Sequence, residues 1–219
     1  MTSAASPRRQ VIVLALCAAL TSVVAGQTPV QDLAKPPATA RHFIIQSTGG
    51  RHGESWMWDA PDGTHLGRES MNLRGQVFEL DSTGKAGPDG MPAAITVRGF
   101  TPEGDAGETF TIATGTARWK SPIDSGSAGY ATPAFYVAQG GPMAVNAWLI
   151  EALLARPDRT LSLLPGGKAH AEQLTTLQVG TGATAQTITL WGITGLSTSP
   201  LPIWSDADKH FFCESFGIA

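Results

Sequence analysis

Apolar and polar residues alternate along most of this chain, and that alternation restricts the fold more than any other feature of the sequence. Residues 95–98 read Ile-Thr-Val-Arg, and residues 109–113 read Thr-Phe-Thr-Ile-Ala. A period of two places apolar side chains on one face of a strand and polar side chains on the other. We therefore predict a mainly β fold built from half-buried antiparallel strands.

Turn-forming residues punctuate this alternation at near-regular intervals. The chain holds 25 glycines and 15 prolines, and turn sequences occur at 49–50, 61–63, 81–84 and 180–182. Gly, Pro, Asn and Asp favour the backbone angles of tight turns. The pattern predicts short strands over 42–45, 64–73, 76–80, 174–179 and 187–193, joined in an antiparallel meander. Such a meander forms a curved sheet or a partly closed barrel.

One segment departs from the period of two and predicts an amphipathic helix over about 143–156. Apolar residues there recur at helical spacing, between Pro142 and Pro157. Proline is tolerated at a helix start and ends a helix when it follows one. Because one stripe is apolar, we expect the helix to pack on the open side of the sheet. The stripe consists of Val145, Trp148, Leu149, Ala152 and Leu153.

The N-terminus predicts export to the periplasm or the extracellular space. Arg8 and Arg9 precede an apolar run of about 15 residues that ends in small residues, as in a cleavable signal peptide. The alternative is a membrane anchor, but a spanning helix needs about 20 apolar residues, so we expect no stable membrane span after cleavage. The predicted organisation is a signal peptide at 1–25, a Pro-rich flexible tether at 26–40, and a β-rich domain at 41–219.

The charge pattern excludes one large class of functions. Charged residues make up 15% of the chain, the net charge is −3, and like charges do not cluster. Nucleic-acid binding requires a basic patch or stripe, so we expect no nucleic-acid partner. Cys17 lies within the predicted signal peptide, so Cys213 is left without a disulfide partner. We predict that Cys213 is a partly buried apolar residue, and a reactive thiol is the less favoured alternative.

The metal-ligating residue types are present, but their spacing does not predict a metal site. None of the five histidines forms an H-x-H or H-E-x-x-H pair. His52 and His65 could meet across the Pro61-Asp62-Gly63 turn, and Asp206, Asp208 and His210 could share one strand face. Surface histidines and a turn with solvated charges are the favoured interpretations, so we predict no metal and no cofactor.

Catalytic motifs are also missing from the sequence. The chain has no G-x-S-x-G elbow and no phosphate-binding glycine loop. Glu103, Asp105 and Glu108 cluster in a Gly-rich stretch, where a solvated hairpin tip is favoured over an acid/base pair. We therefore predict no catalytic residue.

Tryptophans provide the only candidates for contact with a ligand. Trp56 and Trp58 lie two apart on one strand, so they share a face on which a ligand could stack. Trp204 is a third candidate of this kind. The competing interpretation, which we favour for the tryptophans as a group, is that they fill the core and interfaces.

Four ordered motifs resemble one group of proteins. They are LLPGGKA at 163–169, LWGITGL at 190–196, SPLPIWSD at 199–206 and FF at 211–212; residues 118–121 (RWKS) add a weaker match. The series resembles the N-terminal β-rich region of exported bacterial amidohydrolase-like proteins and covers roughly residues 41–212. In that group the region precedes a metal-dependent (β/α)-barrel hydrolase domain, whose ligands lie beyond the matched region. The resemblance therefore assigns no metal ligand or catalytic base to this chain.

Two function classes follow from these observations. The first is an exported, non-catalytic accessory β-domain, whose partner would be a catalytic amidohydrolase domain or subunit. The second is an independent periplasmic binding module for an apolar ligand or a peptide. An enzyme with an unrecognised site is a weaker third alternative.

Overall fold

The computed structural model describes residues 27–140 and 142–215. The signal peptide predicted for residues 1–25 lies outside the described residues. Within them, two β-sheets and a single α-helix share one hydrophobic core. The prediction of a mainly β fold with antiparallel strands and one packed helix is confirmed.

Sheet A is a nine-stranded antiparallel meander in which nearly all neighbours in space are neighbours in sequence. Its long central strands follow the predicted alternation, with apolar residues such as Leu80, Ile95 and Phe110 facing the core. Its strands are β1 (Arg41–Ser47), β2 (Gly50–Asp59), β3 (His65–Leu73), β4 (Gln76–Ala86), β5 (Pro92–Thr101), β6 (Gly104–Asp105), β7 (Glu108–Ala113), β8 (Thr116–Lys120) and β9 (Ser125–Gly129).

Sheet B has six strands in sequence order and curls into a half-barrel. Its first two strands are parallel, and every later pair is antiparallel. The predicted hairpin around residues 180–182 is confirmed as the β12–β13 pair. The strands are β10 (Ala134–Tyr136), β11 (Thr160–Leu164), β12 (Lys168–Val179), β13 (Gln186–Thr194), β14 (Leu201–Ser205) and β15 (Phe211–Glu214).

The helix, α1 (Met143–Leu154), lies between the two sheets rather than on one open face. It contacts β2 and β3 of sheet A and β12 and β15 of sheet B. Because apolar surfaces lie on more than one side, its buried residues extend beyond the predicted stripe and include Ile150 and Leu154. The prediction of a single apolar face was therefore too narrow.

Two glycines of sheet A allow α1 to approach the strands closely. A Cβ at Gly67 would lie 2.5 Å from the Cβ of Ala144, and one at Gly84 would lie 2.7 Å from the Trp148 ring. Real Cβ atoms do not approach other atoms this closely, so any larger residue would displace the helix. These glycines lie within strands, where glycine is otherwise unfavourable.

The turn predicted at residues 81–84 is wrong, because β4 continues through it to Ala86. Asp81 is 1% exposed and pairs with Arg98 on the neighbouring strand; its Oδ1 accepts from Arg98 Nε at 3.0 Å. Asp81 can lie buried within a strand, instead of in a solvated turn, because its carboxylate accepts hydrogen bonds from a charged side chain and from a backbone N–H.

The described part of the segment predicted as a flexible tether, residues 27–40, packs on sheet A through the middle of the segment. Leu33 is only 4% exposed, and the Ala34 N–H donates to Asp81 Oδ2 at 2.7 Å. Asp81 and its partners lie on the face of sheet A away from α1, so residues 27–40 cover part of that face. The polar, Pro-rich composition of this segment did not predict that Leu33 would be buried or that Asp81 would accept a hydrogen bond from it.

Replacing Asp81 should both destabilise the fold and release this segment. Asp81→Ala leaves the half-exposed Arg98 and the Ala34 N–H without their acceptor, which costs about 2–3 kcal/mol of unfolding free energy. Urea unfolding measures the loss, and limited proteolysis within residues 27–40 measures the release. The exposed Asp208 provides the matched control: Asp208→Ala should change the unfolding free energy by less than about 0.5 kcal/mol. Equal stability of the two variants would contradict this role for Asp81.

Candidate functional site

Trp56 and Trp58 share one face of β2, as their parity predicted, and this face points away from the core. Both are half-buried, whereas Ser55 and Met57 alternate with them and are buried. Trp56 stacks on the ring of His42 from β1, with the ring centres 5.1 Å apart and the planes within 4°. The register of the first hairpin sets this contact, because His42 and Trp56 are directly opposed.

The stacked pair forms the floor of an open groove, which we call the His42–Trp56 groove. The docked N-terminal segment forms its wall, and the groove has a volume of about 360 Å³. The Nε2 atom of His42 lies 2.6 Å from Glu54 Oε2, and Arg51 forms an ion pair with the same carboxylate. The groove therefore combines an apolar, aromatic floor with a charged rim. Its lining residues are Pro36, Pro37, Ala38, Ala40, His42 and Trp56.

Trp58 lines a second, smaller cleft of about 130 Å³ beside α1. His65 lies in this cleft, with Nδ1 2.6 Å from Asp59 Oδ1 and its ring 4.6 Å from that of Trp148. A histidine oriented by a carboxylate is one part of a nucleophilic catalytic site. Among the described residues that line the cleft there is no serine, threonine or cysteine, so this pair lacks a nucleophile to activate.

Trp204 belongs to a different surface, on the outer side of sheet B. It is directly opposed to Leu190 on β13, and both are half-buried. Leu174 and Leu177 of β12 lie on the same side of the sheet and are 54% and 46% exposed. We call this surface, consisting of Leu174, Leu177, Leu190 and Trp204, the Trp204 face. The structure therefore separates the three tryptophans that the sequence grouped together.

The alternative metal-site arrangements do not form. His52 lies 2.7 Å from Ser47 Oγ, while His65 is opposed to Asp59, so the two histidines do not meet across the hairpin. Asp206 Oδ1 accepts from the Asp208 and His210 N–H groups, which is turn chemistry, as the favoured interpretation predicted. Within residues 27–140 and 142–215, no three His, Cys, Asp or Glu side chains are arranged to hold a metal ion.

Glu108 is buried, although the sequence placed it at a solvated hairpin tip. It is 2% exposed, accepts a hydrogen bond from the Tyr136 hydroxyl, and accepts from the Gln139 N–H at 2.9 Å. Burial raises the pKa of this carboxyl above its usual range. The period of two could have identified it, because Glu108 has the same parity as the buried Phe110.

Two further carboxyls meet the first turn of α1 and were not identified from the sequence. The Met143 N–H donates to Glu69 Oε2 at 3.2 Å, and Asn146 Nδ2 donates to Glu214 Oε2 at 3.1 Å. Glu69 lies on sheet A and Glu214 on sheet B, so these bonds tie both sheets to the helix. Burial, assisted by the charge of Glu69, raises the pKa of Glu214 to about 7. Burial also raises the pKa of Glu69.

The four motifs that carry the family resemblance map onto sheet B and fill its core. LLPGGKA forms the β11–β12 turn, and the other three contribute β13, β14 and β15. Their apolar residues, such as Ile193, Ile203 and Phe211, are fully buried, and the Trp191 indole donates to Ser205 Oγ at 2.9 Å. Packing therefore accounts for these motifs without any catalytic role.

No protein family, curated protein or solved structure was found to match this chain. The resemblance to exported amidohydrolase-like proteins therefore rests on its sequence motifs alone. Of the described residues, none belongs to a helix with the length and apolar character needed to cross a membrane.

Cys213 agrees with its prediction as a partly buried residue. It is a free, half-buried thiol directly opposed to Trp204. Burial raises the pKa of this thiol, and the neighbouring Glu214 raises it further. Because the thiolate is the nucleophilic form, these surroundings make Cys213 less reactive than an exposed cysteine.

The raised pKa of Glu214 predicts a pH-dependent stability with a defined sign. The folded-state pKa of about 7 exceeds the ordinary value of 4.5. Its contribution to stability is therefore fully present below pH 4.5 and is lost as the pH rises through 7. Glu214→Gln removes this titration, so its stability relative to the native chain should rise by about 2–3 kcal/mol between pH 4.5 and pH 8.

Urea unfolding at several pH values measures that difference. Glu103→Gln, at an exposed position, is the control and should follow the native pH profile. A Glu214→Gln variant whose profile is parallel to that of the native chain would contradict the assignment.

Proposed function

We propose that this chain is an exported, non-catalytic accessory β-domain that packs on a partner domain through the Trp204 face. Export follows from the predicted signal peptide, and the partner class follows from the sequence resemblance: a metal-dependent amidohydrolase barrel. The observation that carries the proposal is the apolar character of this face, on which Leu174 and Leu177 are about half exposed.

The exposed leucines are the first line of support. Leu174 and Leu177 are about half exposed, and Leu190 and Trp204 extend the apolar surface across the sheet. Isolated apolar residues on a surface are ordinary, whereas a contiguous group on one sheet face is typical of an interaction site. Tryptophan is also enriched among the residues that dominate the binding energy of interfaces.

The position of the motifs is the second line of support. Every one of the four main motifs lies in the sheet that carries the Trp204 face, and SPLPIWSD includes Trp204 itself. Their buried residues fix the shape of sheet B, and the shape of the sheet fixes the face. The motifs therefore shape the surface that we propose for docking.

The interior gives the third line of support. The core between the sheets is filled by side chains of α1 and both sheets, and the depressions described above open to solvent. The described residues offer a His65–Asp59 pair without a nucleophile and no cluster of metal ligands. This arrangement supports binding rather than catalysis.

The His42–Trp56 groove favours the second candidate function, an independent binding module. Its aromatic floor can stack on an apolar or planar group, and its volume of about 360 Å³ suits a small ligand or a few peptide residues. Trp204 lies on the face proposed for docking, and Trp56 lines the groove proposed for ligand binding. Substitution of either tryptophan therefore tests one function and serves as the control for the other.

The test measures binding of the purified chain to an amidohydrolase barrel domain whose own N-terminal region has been removed. We expect Trp204→Ser to weaken this binding at least about tenfold, and Trp56→Ala to leave it unchanged. Calorimetric titration measures both. Absence of binding by the native chain, or loss of binding only in Trp56→Ala, would contradict docking through the Trp204 face.

The non-catalytic part of the proposal has its own assay. We expect no hydrolysis of amide substrates by the chain alone, with or without added zinc. Turnover that a chelator abolishes would overturn this part of the proposal, whatever the binding result.

A further inference from the structure

Among the residues that the structure describes (27–140 and 142–215), nothing pairs with the outer edge of β12 over most of its length. β11 pairs only with residues 168–170, and the last bond on that side joins the Ala171 N–H to the Arg159 carbonyl. Beyond that point β12 pairs with β13 alone, through Val179. Residues 172–178 are all exposed, although they alternate between the two faces of the sheet. This stretch therefore presents a row of solvent-facing backbone donors and acceptors.

The free edge lacks most of the features by which proteins protect exposed strands. Residues 173–179 read Gln-Leu-Thr-Thr-Leu-Gln-Val and contain no charged residue and no proline. A register shift between Gln173 and Thr175 interrupts the start of this edge, but residues 175–179 are regularly paired with β13. Edge strands without charges, proline or a cover readily add another strand.

The five regular residues are chemically complementary to themselves in one antiparallel register. With Leu177 opposite its own copy, Thr176 lies opposite Gln178 and Thr175 lies opposite Val179, each twice. Opposed residues share a face in an antiparallel pair. Leu177, Thr175 and Val179 then meet on the side of the Trp204 face, and the hydroxyl–amide pairs form on the other.

The same hydroxyl–amide chemistry already occurs within the β12–β13 hairpin. Gln178 Nε2 donates to Thr187 Oγ1 at 2.6 Å, and the hydroxyls of Thr176 and Thr189 lie 3.4 Å apart. A β12 strand from a second copy would add its own Thr176 and Gln178 to these polar contacts. On the other face it would place its own Leu177 beside Leu177 of the first copy. The absence of charge also means that two copies meet there without local repulsion, although the chain carries a net charge of −3.

We infer that two copies of this chain pair through the free edges of β12, antiparallel and with Leu177 on the two-fold axis. The pairing joins two six-stranded sheets into one twelve-stranded sheet. The pairing uses the backbone edge of β12 and needs no partner protein, and Leu177 is the one residue that it shares with the centre of the Trp204 face. A five-residue strand buries less than the roughly 800 Å² per partner of a standard interface, so the dimer is weak and dissociates on dilution.

Sedimentation velocity of the purified full chain across a wide concentration range tests this inference. We expect the native chain to pass from monomer to dimer as the concentration rises. Leu177→Lys places two like charges opposite each other at the axis and should raise the dissociation constant at least tenfold. Ile123→Lys, at a position that is 84% exposed on a sheet A loop, should leave it unchanged. A native chain that remains monomeric at all concentrations, or two lysine variants with equal effect, would overturn the inference.

Cysteine cross-linking tests the register. With Cys17 and Cys213 replaced by serine, oxidation should link Leu177→Cys into a covalent dimer, because opposed side chains lie about 5 Å apart at their Cβ atoms. Leu174→Cys should remain uncross-linked, since its copy lies about 20 Å away along the strand. Cross-linking of Leu174→Cys and not of Leu177→Cys would overturn this register.

Discussion

The contact of α1 with both sheets is the constraint on which the rest of this structure depends. The helix approaches sheet A at Gly67 and Gly84, where a single added carbon would collide with Ala144 or Trp148. Its opposite side packs on β12 and β15, and its first turn donates to a carboxylate from each sheet. The sheets also contact each other directly, through the ring pairs Phe110–Tyr136 and Phe43–Phe211, so α1 and these contacts together close the core.

Because side chains of α1 and both sheets fill the interior, the surfaces available for binding lie on the outside of the protein. The outer side of sheet A is partly covered by residues 27–40, which leaves the His42–Trp56 groove as an opening at the border of that segment. On the outer side of sheet B, Leu174 and Leu177 stay about half exposed, although Ile188, opposed to Leu177, is only 5% exposed. These two exposed leucines beside Trp204 are the main argument for an external partner.

Local patterns were sufficient to predict the strand class, the helix and most of the turns. The period of two identified β5 and β7, and the predicted helix range of 143–156 exceeds α1 by two residues at its C-terminal end. The errors came from long-range contacts. Asp81 and Glu108 have polar sequences around them, yet donors from distant segments allow both to be buried. The inter-sheet carboxyls Glu69 and Glu214 are 145 residues apart in sequence, and neither lies in a recognisable motif.

For the tryptophans, parity predicted a shared face for Trp56 and Trp58, but only tertiary structure could assign Trp204 to a separate surface.

Native-state hydrogen exchange in a Gly84→Val variant tests most directly whether α1 joins the two sheets into one unit. In the native chain, we expect the slowest-exchanging amides of β7 in sheet A and of β13 in sheet B to share one opening free energy. The variant should lower both by the same amount, about 2–3 kcal/mol, because displacing α1 uncovers both inner faces. If protection falls in sheet A while sheet B keeps its native value, α1 does not join the two sheets into one unit.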